Sequence, residues 1–430
     1  MKILFQTLGC KLNFAESSSL GRALLAHGHS RAQKGEAADV CVVNTCSVTD
    51  VADGKGRQMI RRLHRTYPDA VLIVTGCYAQ LRPEEVSAIE GVDYVVGAND
   101  KQRIEDIVRQ LAAGGQRSAV SYVTDLAGAE GRLSEEGRAF HPACSSDDRT
   151  RCFLKIQDGC DYYCTYCTIP LARGKSRNAP VSDTVRRAQQ AVDDGAQESI
   201  LTGVNIGDFG RSTGETFISL LRALDAMRGD FRIRISSCEP NLLTDEIIDF
   251  VAESRHFAPH FHIPLQSGSD TVLQIMHRRY TTALFAERVE RIKERMPDAF
   301  IGVDCMVGVR GETDECFIEY LKFIKSLPVS QLHVFPYSER KGTKMVESDL
   351  PRVSAHEKRR REKMLLQVSH DKLQAFYASQ HGRHAVVLWE GTRERLTDGT
   401  AAMAGWTENY VRVSTTYDKQ KVNTFEHIII

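Results

Sequence analysis

Three stretches within the first eighty residues end alike: KILFQTLGC closes on Cys10, DVCVVNTC on Cys46 and AVLIVTGC on Cys77. Each is a short apolar run without polar alternation, which is how a strand buried on both faces of a parallel sheet reads. A fourth run covers Tyr94–Val96, and amphipathic stretches near Glu16–Ala26, Gly56–His64, Pro83–Ile89 and Arg103–Leu111 supply the crossovers. The pattern predicts an open parallel α/β sheet over residues 1–125, with strands at Lys2–Leu8, Val40–Val43, Ala70–Val74 and Tyr94–Val96. Its three cysteines then stand at the carboxyl ends of strands, the edge where open α/β sheets bind ligands. Neighbouring strands lie about 4.8 Å apart, so cysteines scattered over 67 residues are drawn into one place. We read Cys10, Cys46 and Cys77 as a single cluster site, and Cys41, inside its strand, as a small core residue.

A second constellation has tight spacing. KIQDGCDYYCTYCTIPLARGKSRN holds Cys160, Cys164 and Cys167 as C-x-x-x-C-x-x-C, in a loop marked by Gly159, Asp161 and Thr165. Three thiolates so close suit one iron–sulfur cluster, and a four-iron cluster with three protein ligands keeps one iron for another molecule. Zinc is the nearest rival, but zinc sites favour paired C-x-x-C or C-x-x-H and no histidine follows at that distance.

Strand–helix alternation resumes from Cys152. Strands are expected at Phe153–Ile156, Ser199–Leu201, Arg232–Ser236, Phe261–Pro264, Phe300–Val307 and Gln331–Phe335, with helices between them. Six such units suit an incomplete (βα)6 barrel with its site at the carboxyl ends. The segments there are TGVNIG, SSCEP, HIPLQSGSD and GVDCMVGVRGET; Glu239 and Gln266 are candidates for ribose hydroxyls or an amino group. Cys238, Cys305 and Cys316 have no partner at metal spacing and read as packing residues. Residues 126–150, poor in periodicity, read as a linker in which Cys144 is incidental. The core is expected over 151–370 and a small antiparallel β-barrel over 371–430, with strands His384–Trp389, Asn409–Val413 and Thr424–Ile430. Its Trp389, Trp406 and Tyr410 either stack on bases or fill the barrel.

Lys plus Arg equals Asp plus Glu, 56 each, so affinity for nucleic acid must come from patches. One patch is GKGRQMIRRLHRTYP, where Arg57, Arg61 and Arg65 share a helix face. That face is either solvated or a phosphate-binding rim. Twelve cysteines without a signal peptide point to a reducing, cytoplasmic compartment, and no apolar run is long enough to span a membrane.

The three-cysteine loop, with Tyr166 before its last cysteine, resembles the radical SAM enzymes. Together with TLGCKLN, VNTCSVTDVADGKGRQMIRR, TGCYAQ, HIPLQSGSD and GWTENYVRV, it resembles the radical SAM methylthiotransferases over nearly the whole chain. TLGCKLN is most similar to the branch acting on threonylcarbamoyl-adenosine, the base 3′ of the anticodon; the isopentenyl-adenosine and ribosomal-protein branches open differently. The resemblance implies a flavodoxin-like first domain, a radical SAM partial barrel and a terminal module like the TRAM RNA-binding domain. It also implies two four-iron clusters, on Cys160, Cys164 and Cys167 and on Cys10, Cys46 and Cys77. S-adenosylmethionine contacts are expected from Tyr166, Thr202, Gly203, Glu239 and Gln266. One S-adenosylmethionine would serve radical generation and a second methylation, the methylthio group going to carbon 2 of the base. The expected partners are a tRNA anticodon stem-loop, an electron donor and a sulfur source, for a chain acting as a monomer. Where the family usually has GFPGET, this chain has GVRGET, with Val309 and Arg310.

Overall fold

A computed structural model describes residues 1–33, 35–124, 139–145, 150–395 and 400–430. The first sheet contains β1 (Lys2–Thr7), β2 (Ser30–Arg31), β3 (Val40–Thr45), β4 (Val71–Gly76), β5 (Tyr94–Val96) and β6 (Val120–Tyr122). Its order is β2-β1-β3-β4-β5-β6 and every pairing is parallel. Every residue of β3 and β4 is buried, as their unbroken apolar runs require. Successive residues face opposite sides, so Val43, Leu72 and Val74 join one core and Val40, Val42, Val71 and Ile73 the other. Thr7 is in register with Asn44, and Thr45 with Gly76. The three strands that lead into cysteines are therefore adjacent. Two helices begin at this edge, α1 (Lys11–Ala26) and α2 (Asp50–Thr66).

The expected linker lies partly outside the described residues, but Ala143–Cys144 forms β7, an edge strand antiparallel to β8 (Arg151–Lys155). Cys144 is not incidental: it forms a disulfide with Cys152, Cα atoms 6.5 Å apart, because β7 and β8 set the two side by side. The parallel strands that follow are β9 (Glu198–Thr202), β10 (Arg232–Ile235), β11 (His260–Gln266), β12 (Phe300–Val307) and β13 (Gln331–Pro336). They form the sheets β10-β9-β8-β7 and β11-β12-β13, joined by the parallel bridges Ile233–Phe257 and Ser237–His262. This is the expected partial barrel. Leu154, Leu201, Ile233, Ile235, Ile263, Leu265, Ile301 and Val303 pack outward under the helices. Alternation turns Lys155, Glu198, Arg234, His262, Asp304 and His333 to the inner face. Across that face runs α1, whose Phe14 and Ala15 meet Phe153 and Ile200.

The chain ends in a curled antiparallel sheet, β16-β15-β14-β17, with β14 (His384–Arg395), β15 (Ala401–Thr407), β16 (Arg412–Thr416) and β17 (Phe425–Ile429). It closes the amino end of the barrel. Arg232 donates to the carbonyls of Val386 and Trp406, and Arg234 to those of Thr407 and Glu408, at 3.0–3.3 Å. Of the two readings left open for its aromatic residues, packing holds. Trp389 is buried and donates to Glu426 at 2.6 Å. Trp406 and Tyr410 stack on one another with ring centroids 4.4 Å apart, under Arg151 and Arg234 respectively.

Candidate functional site

Two glycines explain how the first three cysteines meet. Gly9 has φ +100°, and a Cβ on it would lie 2.5 Å from Cys46 Cβ. Gly76 has φ +97° and ψ −165°, and its Cβ would lie 2.3 Å from the Thr45 carbonyl oxygen. Only glycine adopts the second conformation readily, and only glycine leaves room for Cys46 at the first position and for the Thr45 backbone at the second. Asn13 fastens the strand ends by donating to the carbonyls of Leu8 and Thr45 at 2.9 and 3.0 Å. Asn44 answers by donating to the Asn13 carbonyl at 3.0 Å. Cys10 is the N-cap residue of α1, and Cys77 opens the helix Cys77–Leu81. Helix amino ends favour negative charge, which suits thiolates. Burial pushes the Cys46 thiol up to about 12, with Cys77 and Cys10 adding to the shift, so the three sulfurs stand in one another's field.

From the barrel side comes Arg173, fully buried at the end of the helix Ile169–Arg173. It donates to Glu16 and Asp158 at 3.0 Å and to Asn13 at 2.8 Å. Burial raises the Cys77 thiol, and the charge of Arg173 opposes that rise. Glu16 takes Lys155 at 2.8 Å and Lys101 as well. Two buried thiols, Cys46 and Cys77, beside the exposed Cys10 and with cations behind them, fit an anionic metal–sulfur cluster.

The second set lies in the loop after β8. Gly159 (φ +72°) would place a Cβ 2.0 Å from the Lys175 carbonyl oxygen, and Cys160 donates from its amide to Gly174 at 3.0 Å. The Ile169 amide donates to Cys167 Sγ at 3.4 Å and Arg278 to Cys164 Sγ at 3.1 Å. Burial pushes the Cys160 and Cys167 thiols up to about 12. Donors aimed at buried sulfur again fit a cluster. No three of these or other side chains converge on one ion among the described residues. A four-iron cluster takes its thiolates on separate irons, so that spacing excludes a single-ion site and not a cluster.

A cavity of about 440 Å³ lies beside Cys167, with the segment that follows Cys46 in its wall. Val48 and Thr49, just after Cys46, form one wall. Tyr166 to Ile169, with Cys167, form another, and Gln266, Met306, Phe335 and Tyr337 complete it. Gln266 has φ +64°; its Oε1 and the Tyr337 hydroxyl are buried without a partner. Arg278 joins three predicted or neighbouring groups: besides Cys164 it reaches Tyr166 Oη at 3.3 Å and pairs with Glu239. Thr202 is buried and Gly203 half-buried. Gln157 Oε1 there accepts the Val204 and Asn205 amides at 3.0 and 2.9 Å. The walls are locked together by Arg340, which donates to Ser47, Asp53 and Asp50 at 2.6–2.7 Å.

The arginine face of α2 is divided. Arg57 is held by Glu85 at 2.9 Å and by the Tyr78 hydroxyl at 3.1 Å, whereas Arg61 and Arg65 are exposed. Arg310 of GVRGET forms a two-pronged pair with Glu339 at 2.8 and 2.9 Å, while Val309 is buried in the core. Arg173, Arg278 and Arg340 went unread in the sequence. Their only signal there is a lone cation beside a motif, since the partners are distant in the chain.

This architecture defines a radical SAM protein carrying an additional three-cysteine α/β domain. Residues 154–324 match the Radical SAM superfamily and residues 2–97 the Uncharacterized protein family UPF0004. The chain is 40% identical over 413 residues to the threonylcarbamoyladenosine tRNA methylthiotransferase MtaB of Bacillus subtilis, covering 96% of this chain and 89% of that one. Its counterpart in Aquifex aeolicus is 34% identical, with 93% and 95% covered. The tRNA-2-methylthio-N(6)-dimethylallyladenosine synthase of Sulfurihydrogenibium is 31% identical, with 83% and 80% covered. Among solved structures, the radical S-adenosylmethionine methyltransferase TsrM of Kitasatospora setae, with cobalamin and a [4Fe-4S] cluster bound, shares the fold. Its TM-score is 0.57 at 14% identity over 80% of this chain and 77% of that one. The chain belongs to the MtaB-type radical SAM methylthiotransferase family. Membership of the Radical SAM superfamily brings S-adenosylmethionine and an iron–sulfur cluster with it.

Proposed function

We propose that this chain methylthiolates carbon 2 of threonylcarbamoyl-adenosine beside the anticodon of tRNA, consuming one S-adenosylmethionine for radical generation and one for methylation. The observation that carries the reading is the cavity walled on one side by the segment after Cys46 and on the other by Cys167. A base turned out of its stack would enter there between two cofactors. Bound in their places, the clusters and S-adenosylmethionine supply radical and sulfur chemistry that no side chain provides.

The chain's own residues hold and aim. Cys160, Cys164 and Cys167 would carry the cluster that takes S-adenosylmethionine, and Cys10, Cys46 and Cys77 the second. Arg278 orients Glu239 and Tyr166, and Gln266 offers an unpaired oxygen to the bound molecule. Arg340 fixes the distance between walls. Arg61 and Arg65, exposed further along α2, would meet anticodon-stem phosphates. An electron donor and a sulfur source must supply the reaction, and we place it in the cytoplasm; no helix is long and apolar enough to cross a membrane among the described residues. The test is reaction of the anaerobically reconstituted protein with anticodon stem-loops, followed by nucleoside mass spectrometry. Methylthio product on threonylcarbamoyl-adenosine is expected; product only on isopentenyl-adenosine, or only on a ribosomal protein, would overturn the reading.

A further inference from the structure

Taking a base out of its stack bares the faces of the two bases beside it, and a site that accepts such a base gains by covering them. Single apolar residues on a surface mean little, but three of those exposed here stand at the edge of the cavity. Val48, in the cavity wall, is 56% exposed, and Val51, in the first turn of α2, is 68% exposed. On the barrel side Leu171 is 42% exposed, one helical turn beyond Thr168, which lines the cavity.

One segment joins the two sides. Ser338, also in the cavity wall, accepts the Asp50 amide at 3.1 Å. Gly342 lies against Leu171, whose Cδ1 would be 3.8 Å from a Cβ there. Four residue steps separate Ser338 from Gly342, at most about 14 Å, so the apolar residues share one rim. That rim is also positive. Lys55 follows Val51 by one turn on the same helix face, Lys341 precedes Gly342, and Lys344 stands just beyond. All three are exposed, and none has an ion pair among the described residues. Asp50 and Glu339, the acids of the same segments, are matched by Arg340 at 2.6 Å and Arg310 at 2.8 Å. Apolar surface edged with unpaired cations suits single-stranded nucleic acid, which brings base faces and phosphates together. It does not suit a second copy of this chain, whose equivalent lysines would face these across a two-fold interface.

We infer that Val51 and Leu171 cover the bases flanking the extruded one, one from each side of the cavity, while Lys55 and Lys341 hold the phosphates beside them. The inference rests on the function proposed above and names the surface that the anticodon loop meets. Lys55 is thereby the first phosphate contact along α2, ahead of Arg61 and Arg65.

The experiment measures binding of the reconstituted holoenzyme to two anticodon stem-loops, one intact and one abasic at both nucleotides flanking the target. Wild-type protein should bind the intact loop about tenfold or more tighter, the scale of burying one aliphatic side chain. Val51→Ser with Leu171→Ser should remove that preference. Affinity for the abasic loop, iron content and S-adenosylmethionine cleavage without RNA should stay unchanged, because both side chains are exposed. Lys55→Gln with Lys341→Gln should instead weaken both loops alike and flatten the salt slope by about 0.7 per lost contact. Equal wild-type affinity for the two loops overturns the inference, and needs no variant that must fold. A double serine variant that keeps the preference overturns it too. So does wild-type self-association in sedimentation that this variant loses, since the rim would then serve a second copy. Methylthio product without preference for the intact loop contradicts this inference alone, whereas no product on any stem-loop contradicts the proposed function.

Discussion

Gly76 shows how much a single residue decides here. Its φ of +97° and ψ of −165° and the 2.3 Å that a Cβ would leave to the Thr45 oxygen combine a strained conformation with a backbone clash. Gly76→Ala should therefore destabilise the first domain by about 1–3 kcal/mol, measured by chemical denaturation, and lower bound iron toward half. Unchanged stability and iron would show that the strand end yields. The glycine and its cysteine are legible in the sequence, because TLGC and VTGC both end an apolar run. Arg173 is not. Its meaning comes from Glu16, 157 residues away, and from a cysteine on another sheet, and no local pattern carries that information. Arg57 is a related case: helical spacing correctly put it on the face of Arg61 and Arg65, but Tyr78 and Glu85, which occupy it, come from two other helices, Cys77–Leu81 and Pro83–Ser87.

At the scale of elements, α1 does two things at once. Its amino end carries Cys10, and its body lines the inner face of the barrel, so the two cysteine sets cannot move independently without unpacking it. The six barrel strands were legible nearly to the residue, since each is a short run with apolar residues on at least one face between amphipathic helices. In the terminal sheet β15 was missed, because AAMAGWT is small and weakly β-forming by composition, and its pairing with β14 and β16 supplies what propensity does not. Glu198 ties that sheet to the barrel through Arg232 and Arg234. Burial alone would raise its carboxyl, but the attraction of Arg234 and Arg232 outweighs it and lowers it from 4.5 to about 2. A carboxylate lowered by folding adds stability above its unfolded value and loses it as pH falls toward the folded one. Stability should thus drop between about pH 4.5 and pH 2 by an amount on the order of 3 kcal/mol, and Glu198→Gln should remove that dependence in acid titrations of unfolding. On α2, Arg61→Gln with Arg65→Gln should flatten the slope of log tRNA affinity against log salt by about 0.7–0.9 per lost contact. An unchanged slope would mean that the face is only solvated.

The whole molecule carries two cysteine-bearing edges, each at the carboxyl end of parallel strands, and one cavity has Cys167 in one wall and the segment after Cys46 in another. The α/β sheet presents Cys10, Cys46 and Cys77; the barrel presents Cys160, Cys164 and Cys167. Arg173 and Arg340 cross between them, and the terminal sheet closes the far end of the barrel with its aromatic residues turned inward to packing. Division of labour between the edges is the central claim, and iron content read together with products tests it most directly. Reconstituted wild-type protein should hold about eight irons. With Cys10, Cys46 and Cys77 changed to Ala it should hold about four, still cleave S-adenosylmethionine to 5′-deoxyadenosine, and yield no methylthio-adenosine. Methylthio product from that variant at near wild-type yield would contradict the account.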